Sequence, residues 1–228
     1  MGSRTTYSRL IGALFLAAIL FYGGGLALVT SVVGSSDFLA TISAHQTTLD
    51  LGAFLMLMNS VVVVSVAVLL FPILENHSKR TAVAYLASRS IEAVLLAVGV
   101  LCLLMIPTLG QHAADAWAKG LGSFLVQANT MSYQIALTSL GLGSIFFCLL
   151  LFRTRLIPQL MAALGVIGYV IFLAGAIAEI FGIHIGVALS IPGGLFEVGL
   201  GIWLLIRGFQ PEAYEDGVQR AQIGRAHV

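Results

Sequence analysis

Six apolar stretches, each about 20 residues or longer and nearly free of charge, constrain this chain more than anything else in it: 10–33, 49–73, 81–106, 133–152, 156–182 and 185–209. A bilayer's hydrocarbon core is about 30 Å thick, which about 20 residues of α-helix span. Inside lipid each backbone N–H and C=O needs a partner within the protein, and a helix supplies one. The stretches therefore read as transmembrane helices, TM1 to TM6. Only 9% of the 228 residues are charged and 59% are hydrophobic, too few charges to coat a soluble surface, where about a quarter would be expected. The sequence predicts an all-α, six-helix transmembrane bundle: one domain over 1–209, then a polar, mobile cytoplasmic tail over 210–228. The last six residues, "IGRAHV", match the translation of a sequencing adapter (ATC GGA AGA GCA CAC GTC), so the tail's final residues carry no weight.

Lys and Arg set the expected orientation. Arg4 and Arg9 precede TM1, Lys79 and Arg80 lie between TM2 and TM3, and Arg153 and Arg155 lie between TM4 and TM5. Arg207, Arg220 and Arg225 close or follow TM6. Lys119 alone lies on the opposite side, so both termini are expected in the cytoplasm. TM1 is too long for a signal-peptide core and lacks a small-residue cleavage pattern, so it reads as a retained span. Of the two outer segments, 34–48 is polar. The segment 107–130 carries Trp117, Leu121, Phe124 and Leu125 on one helical stripe. That spacing predicts a short interfacial helix between TM3 and TM4, acting as a prop or as a lid.

Against this background "YLASRSIEAVLLAVG", 85–99, stands out, because Arg89 and Glu92 lie three residues apart inside TM3. A charge at the bilayer centre costs at least about 2.5 kcal/mol on insertion scales, and it is tolerated when paired. Counting depth along each span places Asn59 of TM2, Arg89 and Glu92 of TM3 and Glu197 of TM6 within about two helical turns of one level. Tyr85, Ser88, Arg89 and Glu92 share one face of TM3; Gly52, Met56 and Asn59 share one of TM2. Ser190, Gly193, Gly194, Glu197 and Gly201 share one of TM6, where small residues favour close helix approach. The candidate intramembrane polar site is thus Asn59, Tyr85, Arg89, Glu92 and Glu197. A mildly polar TM4 stripe, Gln134, Thr138, Gly141, Ser144 and Cys148, is a candidate lining of the same interior. Arg89 can pair with Glu92 locally or with Glu197 across the bundle. Two carboxylates against one cation leave a formal excess of one negative charge, which a proton or a bound cation would settle.

TM6 also carries Pro192, Gly193 and Gly194 one turn from Glu197. Proline removes a helical hydrogen bond, here the one to the Ala188 carbonyl, so a kink or break is expected. "IEAVLLAVGVLCLL" in TM3 and "FEVGLGIWLLIRG" in TM6 echo each other faintly, as the halves of a 3+3 repeat would. His45, Asp50, Glu179 and His184 fall near the outer interface. Gly168, Gly175 and Gly182 form a TM5 stripe able to pack within the chain or in a homo-oligomer.

No HExxH, no GxSxG in a fitting context and no Walker A sequence occurs, and no histidine sits mid-span. The chain is therefore read as a non-enzyme with no cofactor and no bound metal. A net charge of +1 gives no reason to expect nucleic acid; the one partner the composition demands is the lipid bilayer. Cys102 and Cys148 fall near opposite ends of their spans and are expected to be too far apart to bond.

Three segments carry a family resemblance: "YLASRSIEAVLLAVGVL", "RTRLIPQLMAALGVIGYVIFLAGAIAEIFG" and "IPGGLFEVGLGIWLLIRGF". Together they resemble the bacterial family known as domain of unknown function 4386, in order, spacing and length, over about residues 10–209. The family-like positions are Asn59, Arg89, Glu92, Pro192, Glu197, Trp203 and Gly208. The resemblance implies a compact multi-pass protein of a bacterial cytoplasmic membrane and supplies no reaction. Two functions fit the residues. One is a small proton- or cation-linked transporter whose small-molecule or ion ligand the sequence does not name. The other is a non-transporting scaffold or accessory protein in which the Arg/Glu cluster is a purely structural clasp.

Overall fold

The computed structural model describes residues 2–35 and 37–215. Arg220, Arg225 and His227, with the rest of the segment after Glu215, lie outside the described residues. Six helices account for nearly all of it: α1 (Gly2–Val33), α2 (Phe38–Glu75), α3 (Lys79–Met105), α4 (Ala116–Thr154), α5 (Gln159–Ile180) and α6 (Gly186–Ile206). All six are long and apolar enough to cross a membrane. A 3₁₀ helix, Ile106–His112, joins α3 to the turn before α4. No strand occurs among the described residues.

Each helix packs against its sequence neighbours, and α6 closes back on α1, so the six form a ring. Helices three apart in sequence, α1 and α4 or α3 and α6, therefore face each other across the interior. Glycines draw the seams tight. A side chain on Gly12 would come within 2.6 Å of the Gly201 carbonyl of α6, and one on Gly25 within 2.7 Å of the Gly52 carbonyl of α2. Only glycine lets those backbones meet.

The helices differ in length. At about 1.5 Å per residue, α2 and α4 are about 57 and 58 Å long, but α5 and α6 only about 33 and 31 Å. The basic end of the ring, where Arg9, Lys79, Arg80, Arg153, Arg155 and Arg207 gather, has all six helices. The far end is built from α1 to α4 and the 3₁₀ helix, around its own core of Val32, Phe38, Leu39, Ile42, Ile106 and Leu125.

Several expectations change here. The segment 107–130 does not form a separate interfacial helix. Its first part is the 3₁₀ turn, and residues from Ala116 onward are the opening turns of α4 itself. Trp117, Leu121 and Phe124 are exposed on that extension, while Leu125 turns into the core. Residues 38–48 of the polar 34–48 segment likewise become the first turns of α2. The tail does not leave the bundle at once. Residues 211–215 are helical, the Gln210 N–H donates to the Leu156 carbonyl at 2.9 Å, and Ala213 and Tyr214 pack on the basic-end core. Gly208, at φ 72°, makes that return: its N–H closes α6 on the Trp203 carbonyl in a left-handed conformation that costs glycine little.

Candidate functional site

Arg89 crosses the ring. Its Nη1 donates to Glu92 Oε2 at 2.8 Å, one turn along α3, and its Nη2 donates to Glu197 Oε1 of α6 at 3.1 Å. The helical spacings explain the local half: positions three and four apart stack on one face, so Tyr85, Arg89 and Glu92 form a column. Arg89 Nε donates to the Tyr85 hydroxyl at 3.1 Å, and the guanidinium carbon lies 5.5 Å from that ring's centre. Tyr85 is held in turn by stacking on Phe147 of α4, with centroids 4.6 Å apart. On the other side, the Tyr169 hydroxyl of α5 donates to the same Glu197 Oε1 at 2.7 Å. Tyr169 is fixed edge-on between Phe172 and Phe196.

This is a buried network. Arg89 is 2% exposed and Glu92 4%, while the Glu197 side chain is 16% exposed. Burying three charges is expensive, and the planar guanidinium fork offsets this by pairing both carboxylates at once. Beside them lies a cavity of about 240 Å³ lined by side chains from all six helices. Arg89, Glu92, Glu197 and Asn59 form its polar wall, while Tyr22 of α1 and Tyr133 of α4 add aromatic rings. Those two rings stack across the ring with centroids 5.0 Å apart. Ser132 Oγ bonds the Leu95 carbonyl at 2.6 Å and Ser139 Oγ the Ser88 carbonyl at 3.0 Å, which fixes the register of α4 on α3. Tyr133 is thereby about one turn beyond Glu92 and nearly two beyond Arg89, toward the far end. Lining by Ser190 and Gly194 carries the cavity toward the start of α6.

The structure brings together all five residues of the expected polar site. Four line the cavity, and Tyr85 lies behind Arg89. Asn59 is 4% exposed. Other expectations do not hold. Pro192, Gly193 and Gly194 do not break α6, which is helical from Gly186 to Ile206. A side chain on Gly168 would lie 3.0 Å from the Pro192 carbonyl, and one on Gly193 2.9 Å from Phe172, so the triplet serves close α5–α6 packing. Only Gly194 of the three faces the cavity. The TM4 stripe is turned away: Gly141 meets Leu173, and Cys148 lies by Gly165, both on α5. α4 lines the cavity with Tyr133, Leu137 and Leu140 instead. The TM5 glycines are also used within the chain, Gly168 against α6 and Gly182, at φ 80°, to end α5.

Tyr22, Tyr133 and Tyr169 were missed. Three isolated tyrosines do not reveal in the sequence which helices meet. Glu179 and His184 pair with each other at 3.1 Å, away from the cavity. Cys102 and Cys148 are both free, one packed beside the far-end core and the other buried in the basic-end core. No group of three or more His, Cys, Asp or Glu converges as a metal site among the described residues. A larger cavity, about 550 Å³, opens at the basic end by His77, Ser78 and Arg153. It contains no buried charge cluster, and its Arg153 is exposed, so the chemistry is concentrated at the centre of the ring.

A ring of six membrane-spanning helices around a buried Arg–Glu network defines a multi-pass integral membrane protein. The chain belongs to the family described as Domain of unknown function (DUF4386), which it matches over residues 10–208. No curated protein and no solved structure matches it.

Proposed function

We propose that this protein is a small proton- or cation-linked transporter of the bacterial cytoplasmic membrane, with both termini in the cytoplasm. One observation carries the reading: the Arg89–Glu92–Glu197 network forms the wall of a central cavity instead of being sealed in a packed core. Ionisable residues inside a membrane bundle that face a cavity mark ion and proton paths in general. In this reading a glutamate exchanges its proton or cation while Arg89 supplies the counter-charge. Glu197 suits that role better than Glu92 because it is the more exposed. The gathering of Arg and Lys at one end of the ring supports the orientation.

A second reading keeps the network as a clasp in a non-transporting scaffold. It is favoured by the completeness of the pairing: Arg89 meets both carboxylates, and Tyr85 and Tyr169 close the network. Flux in proteoliposomes separates the two. The transporter reading expects a proton or cation flux that Glu197→Gln abolishes while the variant stays folded. Absence of any flux in wild-type vesicles, with the protein correctly inserted, leaves the clasp.

A further inference from the structure

We infer that the central cavity binds a small organic monovalent cation, an amine or a quaternary ammonium ion. This deepens the transporter reading and rests on the same site. Five features lead to it. Across Arg89, Glu92 and Glu197 the formal charge is +1 against −2, an excess of one negative charge, so an anion is disfavoured and a monovalent cation suffices. Arg89 already occupies the space between the two carboxylates, bonded to both. A bare metal ion needs several oxygens at about 2.0–2.6 Å, and that position is taken. A cation must therefore bind on the cavity side, where its charge is felt without tight coordination.

The volume agrees. At roughly 30 Å³ per water molecule, about 240 Å³ holds about eight water volumes, room for a compact organic molecule and far more than one dehydrated metal ion needs. The walls agree as well. Tyr22 and Tyr133, stacked on each other, line the cavity about one turn from Glu92, and Phe172 adds a third ring. Aromatic faces attract weakly hydrated cations, and aromatic walls with a carboxylate are a recurring means of recognising methylated ammonium groups. Asn59, facing the cavity, supplies a hydrogen-bonding amide for a polar substituent on the same ligand.

The test uses purified full-length protein in mild detergent. The probes are ammonium, methylammonium, trimethylammonium and tetramethylammonium chloride. Sodium chloride and potassium chloride at equal ionic strength, and tert-butanol as an uncharged molecule of similar size, are the controls. A ligand that binds only the folded state raises the melting temperature with its concentration. The methylated ions should raise it in a saturable way, and the three controls should not. Equilibrium dialysis with labelled tetramethylammonium should show the apparent Kd rising about tenfold or more in Tyr133→Leu. In Glu197→Gln, which removes the excess charge, saturable binding should be lost. Equal shifts from the methylated ions and from sodium chloride would overturn the inference, as would binding unchanged in both variants. Proton flux in vesicles free of amine separates the two proposals. Glu197-dependent flux without amine binding sinks the ligand assignment and leaves the transporter reading standing. Saturable amine binding without flux of proton or amine does the reverse.

Discussion

Two side-chain bridges cross the ring, and their chemistry is opposite. Arg89 joins α3 to α6 through ionic hydrogen bonds, and Tyr22 joins α1 to α4 by stacking on Tyr133. Each spans helices that do not neighbour each other in the ring. The ionic bridge depends on Arg89, because removing that one cation strands two buried carboxylates. The aromatic bridge is graded. Its rings lose little on parting, since lipid-like surroundings or a ligand can replace the lost contact.

Breaking the ionic bridge should have the largest effect. Arg89→Met leaves two buried carboxylates without a cation and should destabilise the fold by about 3–5 kcal/mol, read as a lower melting temperature in detergent. Neutralising both glutamates as well, in an Arg89→Met, Glu92→Gln, Glu197→Gln triple variant, should recover most of that loss. If the triple variant is as unstable as Arg89→Met, the cost lies in lost packing and not in stranded charge. Tyr169→Phe comes next. It removes a hydrogen bond to a charged acceptor, which is typically worth about 1.5–3 kcal/mol.

The aromatic bridge should matter less to stability. Tyr22→Leu should cost about 0.5–1.5 kcal/mol beyond its lost area, and its effect should add to that of Tyr169→Phe without coupling. Strong coupling would mean the two bridges act as one unit. Glu197→Gln should have the smallest effect on stability, within about 1 kcal/mol of wild type. It removes the excess charge, keeps a hydrogen-bond acceptor for Tyr169, and leaves Arg89 paired with Glu92. A melting temperature several degrees lower would instead make Glu197 an indispensable part of the clasp.

The polar site was legible for a reason specific to membranes. An ionisable group in a greasy run is so costly that it must face inward and find a partner, so Arg89, Glu92 and Glu197 announced themselves by depth alone. The tyrosines did not, because a tyrosine in a span is cheap to place and its role depends on what lies opposite. Pro192 shows the same limit: of the kink or break expected there, the break does not occur. Its chemistry permits a break, but α6 is helical through it and packs closely on α5 at Gly168 and Gly193.

Sequence by itself determined the six spans, the gathering of positive charge at one end, and the set of residues that had to be paired. Those follow from transfer free energies and the 3.6-residue helical period, both local properties. Tertiary structure decided the closure of α6 on α1, the opposition of α3 to α6, and the single 39-residue run of α4. It also decided that the charges face a cavity. These depend on which side chains fill the space between helices, and no local period encodes that volume.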